Sequence, residues 1–413
     1  MRRTTLLLIL AIVSTAASAQ FSNTIYSDWT DGYSVGIYGR YQLSTNGIGT
    51  DLQFSAYQGK FLKRNARENA SKRMGKVNRV GIDLDYGIFA KHLPDSAKGI
   101  GWFVNVASRT HGHGKFGKDL FDVAMFGNAM FAGKTAALSN IEVAFFTYKQ
   151  YEAGILKQIK KTNGTWNLGL GLSLLAGNQN LELSIGQASL FTDADGEYLD
   201  GNFSGDIRSA SISTGQYFDA NGLGFSASLN VGYEGKKFGI NFQASDLGII
   251  SWSQHLKHTS LDSTFRFEGV EMDLFASGGN VFSGINLDTI VDGFATVMDG
   301  TKYSTTLPGS IRLEGFYKLN EKDLRIYAGV QYRMAPAYFP YIFVGTSSPL
   351  PKGFFIDGRF AYGGFGSWNL GLELRKRFAD VVEVRIGTNN LEGYLLPMVG
   401  TSQSAYVSIA GFF

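Results

Sequence analysis

Cysteine is absent from the 413 residues. That excludes a disulfide scaffold, a thiol nucleophile, cysteine-ligated zinc and an iron–sulfur centre. Charge is sparse: Asp, Glu, Lys and Arg make up 18%, against about 25% in an ordinary soluble domain. The formal charge of +3 comes with no unbroken basic run, so nothing points to nucleic acid. Beyond the N-terminus no run of 18 apolar residues occurs, which excludes a helical membrane protein. No G-x-S-x-G, P-loop or H-E-x-x-H is present, and no enzyme activity, catalytic residue, cofactor or metal is assigned.

What is abundant is glycine, 52 residues or about 12.6%, nearly twice the usual share of roughly 7%. Aromatics add 32 Phe, 20 Tyr and 5 Trp. Glycine has no triplet period, and so many aromatics exclude both collagen and disorder.

Arg2 and Arg3, an apolar stretch from Leu6 to Val13 and the closing Ala17-Ser18-Ala19 read as a secretory signal over 1–19. Residues 20–413 then form one mature domain, with charge +3 − 2 = +1.

Along that domain, segments of about ten residues alternate. Leu168, Leu170, Leu172 and Leu174 oppose Gly169, Gly171 and Ser173. Phe225, Ala227, Leu229, Val231 and Tyr233 oppose Gly224, Ser226, Ser228, Asn230 and Gly232. Leu370, Leu372 and Leu374 oppose Glu373 and Arg375, and Val382, Val384 and Ile386 oppose Glu383 and Arg385. Successive strand residues face opposite sides, so each segment has one apolar and one small or charged face. A soluble sandwich and a lipid-embedded barrel both give this pattern. Small inward residues, aromatics near strand ends and the final strand ending on Phe413 favour an all-β, transmembrane antiparallel barrel in the outer membrane. Eighteen candidate runs, some of which merge or lie in loops, lead to an expected 14 strands, within about 12–16.

Trp102, Trp252 and Trp368 are expected interface anchors. Glu373, Arg375, Glu383 and Arg385 share inward parity and are the lumen candidates, expected to pair across the ladder. Lys60–Arg79 holds eight Lys or Arg and one Glu; it is helix-compatible and reads as a solvated loop or a contact with anionic lipid or a partner. Residues 118–134 and 284–299 have helical spacing suited to capping or plugging a barrel end. Asp193 to Glu197 resembles part of a calcium loop without its full ligand pattern. His111 and His113 share a strand face, and His255 and His258 would share a helix face; neither pair has a carboxylate at ligand spacing.

Three segments, Gly127-Asn128-Ala129-Met130-Phe131-Ala132-Gly133-Lys134, Ser245-Asp246-Leu247-Gly248-Ile249-Ile250-Ser251-Trp252 and Tyr303-Ser304-Thr305-Thr306-Leu307-Pro308, together resemble a family of large Bacteroidota outer-membrane β-barrels carrying a domain of unknown function. Ser22-Asn23-Thr24 and Asn389-Asn390-Leu391 fit less specifically. That family is similar in architecture to long-chain fatty-acid transporter barrels. The resemblance implies one barrel domain in the outer membrane; the expected function is passage or binding of a small, apolar molecule. Its Asn-Pro-Ala segment, which belongs to a lumenal hatch in transporter-like barrels, is absent here. Expected partners are outer-membrane lipid and, through Phe413, the outer-membrane assembly machinery. The alternative function is a membrane-embedded scaffold that binds a surface lipoprotein or another envelope partner.

Overall fold

The computed structural model describes residues 24–27, 29–95, 99–210, 220–267, 295–319, 324–379 and 381–413. The signal sequence and residues 284–294 of the second helical candidate lie outside them. The strands are β1 Gly32–Thr45, β2 Asn78–Leu93, β3 Gly101–Phe116, β4 Lys134–Ala137, β5 Ile141–Lys161, β6 Gly164–Thr192, β7 Leu199–Ala210, β8 Gly222–Gly235, β9 Phe238–Trp252 and β10 Leu256–Phe267. They continue with β11 Ala295–Asp299, β12 Tyr303–Thr306, β13 Ser310–Lys318, β14 Arg325–Arg333, β15 Phe339–Leu350, β16 Phe354–Gly364, β17 Trp368–Phe378, β18 Val382–Thr388 and β19 Ser402–Phe412.

Fourteen strands close a ring in the order β1, β2, β3, β5, β6, β8, β9 and β13 through β19. Every step is antiparallel, and β19 returns to β1 with Val35 opposite Gly411. Closure leaves no unpaired edge, the condition for backbone in hydrocarbon. The start of β1, the end of β19 and the short turns, such as Thr162-Asn163 between β5 and β6, lie at one end. Long connections lie at the other. By the usual asymmetry of such barrels the turn end faces the periplasm and the loop end the exterior.

Alternation sorts the side chains as the sequence suggests. Val35 and Ile37 on β1, Trp102, Val104 and Val106 on β3, Leu170, Leu172 and Leu174 on β6, and Val407 and Ile409 on β19 are exposed outward. In water such a belt is far beyond the apolar patch a soluble monomer tolerates; in a bilayer it is the lipid-facing surface. The protein is therefore an outer-membrane barrel.

Strand β6 runs 29 residues, where about 9–11 cross a bilayer. Its first half pairs with β8 inside the wall, and from Asn180 it pairs with β7 beyond it. There β7, β10 and β11 extend a second sheet, and β4 and β12 are short additions. The runs at 166–176 and 180–191 are thus one strand. The helical reading of 284–299 is corrected over its described part: Ala295–Asp299 is strand β11, paired with β10. Its apolar residues satisfy a ladder that a local period cannot reveal.

Helices α1 (Thr50–Tyr57), α2 (Arg64–Arg73) and α3 (Lys118–Phe126) cap the loop end. They pack through Leu52, Ala66, Ala70, Met74 and Phe121. A short helix α4 (Leu391–Leu395) joins β18 to β19. Its Glu392 carboxylate is buried and accepts from the Leu370 amide at 2.7 Å and from Asn390 Nδ2 at 3.1 Å. Burial pushes its pKa up to about 7. A carboxyl raised on folding stabilises fully below its unfolded pKa, and that contribution is lost as pH rises through the folded one. The amide protection factors of the 389–401 connection, which correct for the base-catalysed rise in intrinsic exchange, should therefore be lower at pH 8 than at pH 5. In Glu392→Gln that difference should disappear.

Candidate functional site: a partitioned lumen

The lumen is crossed by side chains. Asp83 on β2 and Arg333 on β14 stand half a ring apart, yet Arg333 Nη1 donates to both Asp83 oxygens at 2.9 and 2.7 Å. His111 Nδ1 lies 2.7 Å from Asp83 Oδ1, and His113 Nδ1 lies 3.2 Å from His111 Nε2. The predicted histidine pair thus belongs to this cross-lumen brace. His255 and His258 occupy a turn and a strand, not a helix face; they contact Asn221 and Asp206. The Asp193 carboxylate accepts from the Asp195 and Glu197 amides and closes an ordinary turn.

Below the brace, Asp246 adopts φ 57° and kinks β9. The register with β8 shifts there, between Ala227 and Leu229. Aspartate tolerates this left-handed conformation better than most residues. The bend turns its carboxylate inward, where it accepts from Arg109 Nη1 at 2.8 Å and Gln150 Nε2 at 3.2 Å. Above the kink β9 leaves β13 and pairs with β12. Two of the three resemblance segments therefore meet: Trp252 lies opposite Tyr303, and its Nε1 donates to Thr305 Oγ1 at 2.8 Å. Trp252 is not an interface anchor. It is fully buried among Phe146, Tyr148, Leu175 and Leu307. Trp102 is 41% exposed on the outward face, and Trp368 is half-buried at the loop end of β17.

At the turn end the chain before β1 enters the lumen. Thr24–Ser27 forms a single 3-10 turn, and Ile25 and Tyr26 are buried against Phe89, Leu93, Phe103 and Leu156. Lys91 Nζ donates to the Ile25 carbonyl at 3.1 Å. The Tyr26 hydroxyl lies 3.1 Å from Ser228 Oγ, which donates to Glu152 Oε1 at 2.5 Å. Gly169 makes the room, since a Cβ there would sit 2.4 Å from Tyr26 Cε1. The small inward run Gly169, Gly171, Ser173 was the sequence's one sign that something occupies this side of the lumen.

Three of the four lumen candidates, Arg375, Glu383 and Arg385, come together, but not as opposed pairs. Arg375 lies opposite Arg385, and Glu383 lies opposite Arg377. Glu383 accepts from Arg385 Nε at 2.6 Å along its own strand and lies 3.3 Å from Arg377 Nη2 and 3.9 Å from Arg375 Nε. Arg377, which has the same parity, was missed. Arg375 stacks on Phe355 with 3.9 Å to the centroid. Glu373 instead accepts from the Tyr406 hydroxyl at 2.7 Å.

That last contact joins the linings of two spaces. A cavity of about 120 Å³ lies between Arg40, Arg109, Asp246, Arg333 and Tyr406. A vestibule of about 670 Å³ lies at the turn end, lined by Tyr26, Trp29, Glu314, Glu373, Arg375 and Arg385, among others. Tyr406 lines the first and Glu373 the second.

No curated protein matches the chain. Among solved structures, the toluene transporter TodX of Pseudomonas putida is similar at 8% identity, covering 96% of this chain and 93% of its own, with a TM-score of 0.44. A Pseudomonas aeruginosa FadL homologue is similar at 10% identity over 92% and 90%, with a TM-score of 0.40. The Ralstonia pickettii toluene transporter TbuX is similar at 8% identity over 93% and 90%, with a TM-score of 0.35. The closure of the ring stands on this chain's own strand pairing. A family model covers residues 33–383, and the chain belongs to that family of unknown function, DUF5723.

Proposed function

We propose that the protein binds a small molecule in the vestibule and passes it across the outer membrane through the Tyr406–Glu373 partition. The observation that carries this reading is the pair of lumenal spaces inside a closed ring, with the Tyr406–Glu373 hydrogen bond joining their linings. A barrel whose only role is structural has no need of a hollow of about 670 Å³, within the range of small-molecule sites. Stacked arginines and aromatics together favour a molecule that carries both an anionic group and an apolar body, rather than a wholly apolar one. Phe413, 77% exposed at the end of β19, is proposed as the residue read by the assembly machinery.

Proteoliposomes containing the protein should take up small solutes faster than empty liposomes. Uptake should rise further in Tyr406→Phe, which removes the partition's hydrogen bond. Silence in both, with a stably co-purifying envelope protein, would instead establish the scaffold reading.

A further inference from the structure

One surface at the loop end belongs neither to the lumen nor to the ring. The β1–β2 and β18–β19 connections are knitted together there. The Thr50 hydroxyl donates to the Gly393 carbonyl at 2.6 Å, the Asp51 amide to the Pro397 carbonyl at 3.0 Å, and Arg73 Nη1 to the Met398 carbonyl at 2.6 Å. The resulting unit presents exposed apolar side chains, with Tyr57 at 85% and Phe61 at 83%, joined by Leu395, Leu396, Met398 and Val399. An isolated soluble face would not hold so many together. Beside them Lys60, Lys63, Lys72 and Lys76 are exposed, and Glu68 is the single acid across 60–79.

The patch is continuous with the lipid-facing belt. The Tyr394 hydroxyl donates to the Ser404 carbonyl on β19 at 2.9 Å, next to Ala405, which lies opposite the outward Tyr41 of β1. The Tyr394 ring in turn lies 6.4 Å from Phe54. Tyrosines at the rim of the belt, apolar groups beside them and amines above match, in order, the interface, acyl and phosphate levels of a bilayer leaflet.

We propose that this surface binds an anionic, acylated phospholipid or glycolipid of the outer leaflet: its phosphate among the lysines, its chains against Phe61, Leu395 and Leu396. Charge complementarity and continuity with the belt select a lipid over a soluble anion, which would have no use for the apolar half. They also select it over an acidic protein, which would not need the patch to join the belt.

The test uses the full-length protein in detergent micelles, titrated with diphosphorylated lipid A. The variant carrying Lys60→Ala, Lys63→Ala, Lys72→Ala and Lys76→Ala should lose about tenfold or more in affinity. Lys236→Ala with Lys237→Ala, at the turn end, should leave it unchanged. Phe61→Ser with Leu395→Ser should weaken lipid A binding as well, and inorganic phosphate should not compete. Heat-modifiable mobility reports that each variant is folded. Unchanged lipid A affinity in the folded four-lysine variant would overturn the proposal. So would competition by inorganic phosphate, or selective loss of an acidic protein partner with lipid binding intact.

Discussion

Arg333→Ala should destabilise the barrel by about 3–5 kcal/mol, read as a lower urea midpoint for loss of the folded gel mobility in detergent. Arg333 supplies two hydrogen bonds to Asp83 from across the lumen, and the two side chains are only 17% and 15% exposed. Forming such a pair costs desolvation, so the pair itself adds little net stability. Removing one partner leaves the other charge buried, and that is the larger effect. Asp83 would keep only His111. The double variant Asp83→Asn with Arg333→Met should therefore be more stable than Arg333→Ala alone. If the double variant were worse than the single, stranded charge would not be the cause.

Tyr26→Ala should cost about 3–5 kcal/mol as well, the usual penalty for emptying a buried aromatic site, and should raise solute leak through reconstituted protein. Tyr26 fills the hollow above Gly169 and packs edge-on against Phe103 at 5.6 Å between centroids. Its hydroxyl is also the end of a chain running through Ser228, Glu152 and Asn105 to Tyr38. Gly169→Val gives an independent route to the same state. Its added carbon atoms need the space of the Tyr26 ring, so it should raise leak with Tyr26 intact. Gly39→Ala offers a control, since its Cβ would meet nothing within 4 Å; leak should stay at the wild-type level.

Much of this molecule was legible before any coordinate. Period-two alternation assigned faces to Leu170 and Gly169, Leu372 and Glu373, because one strand residue in two must meet lipid. The ring has the fourteen strands expected within the range of about 12–16. What was illegible depended on partners far along the chain. Trp252 sits at a strand end, the usual place of an interface anchor. It is buried because β12 pairs beside it and Leu307 closes over it, a contact 55 residues distant by numbering, 307 − 252. The halves of β6 read as two strands because the strand changes partner from β8 to β7 near Asn178. The charge pairing of Glu383 was misread because parity gives the face but not the register. A stagger of two residues placed Arg377, not Arg375, across from it. The Ile25–Tyr26 insertion carries no motif, and only the small residues that receive it could have announced it.

The central claim is that two lumenal spaces are held apart at Tyr406 and Glu373, and cysteine labelling tests it most directly. The chain has no cysteine, so each introduced thiol reports alone. Gln158→Cys places a thiol in the vestibule and Gln331→Cys places one in the smaller cavity. With a membrane-impermeant maleimide, Gln158→Cys should label only from the turn side and Gln331→Cys only from the loop side. The Tyr406→Phe background should admit reagent to both from either side. Equal labelling of both thiols from both sides in the otherwise unaltered protein would mean an open pore, and would contradict the account.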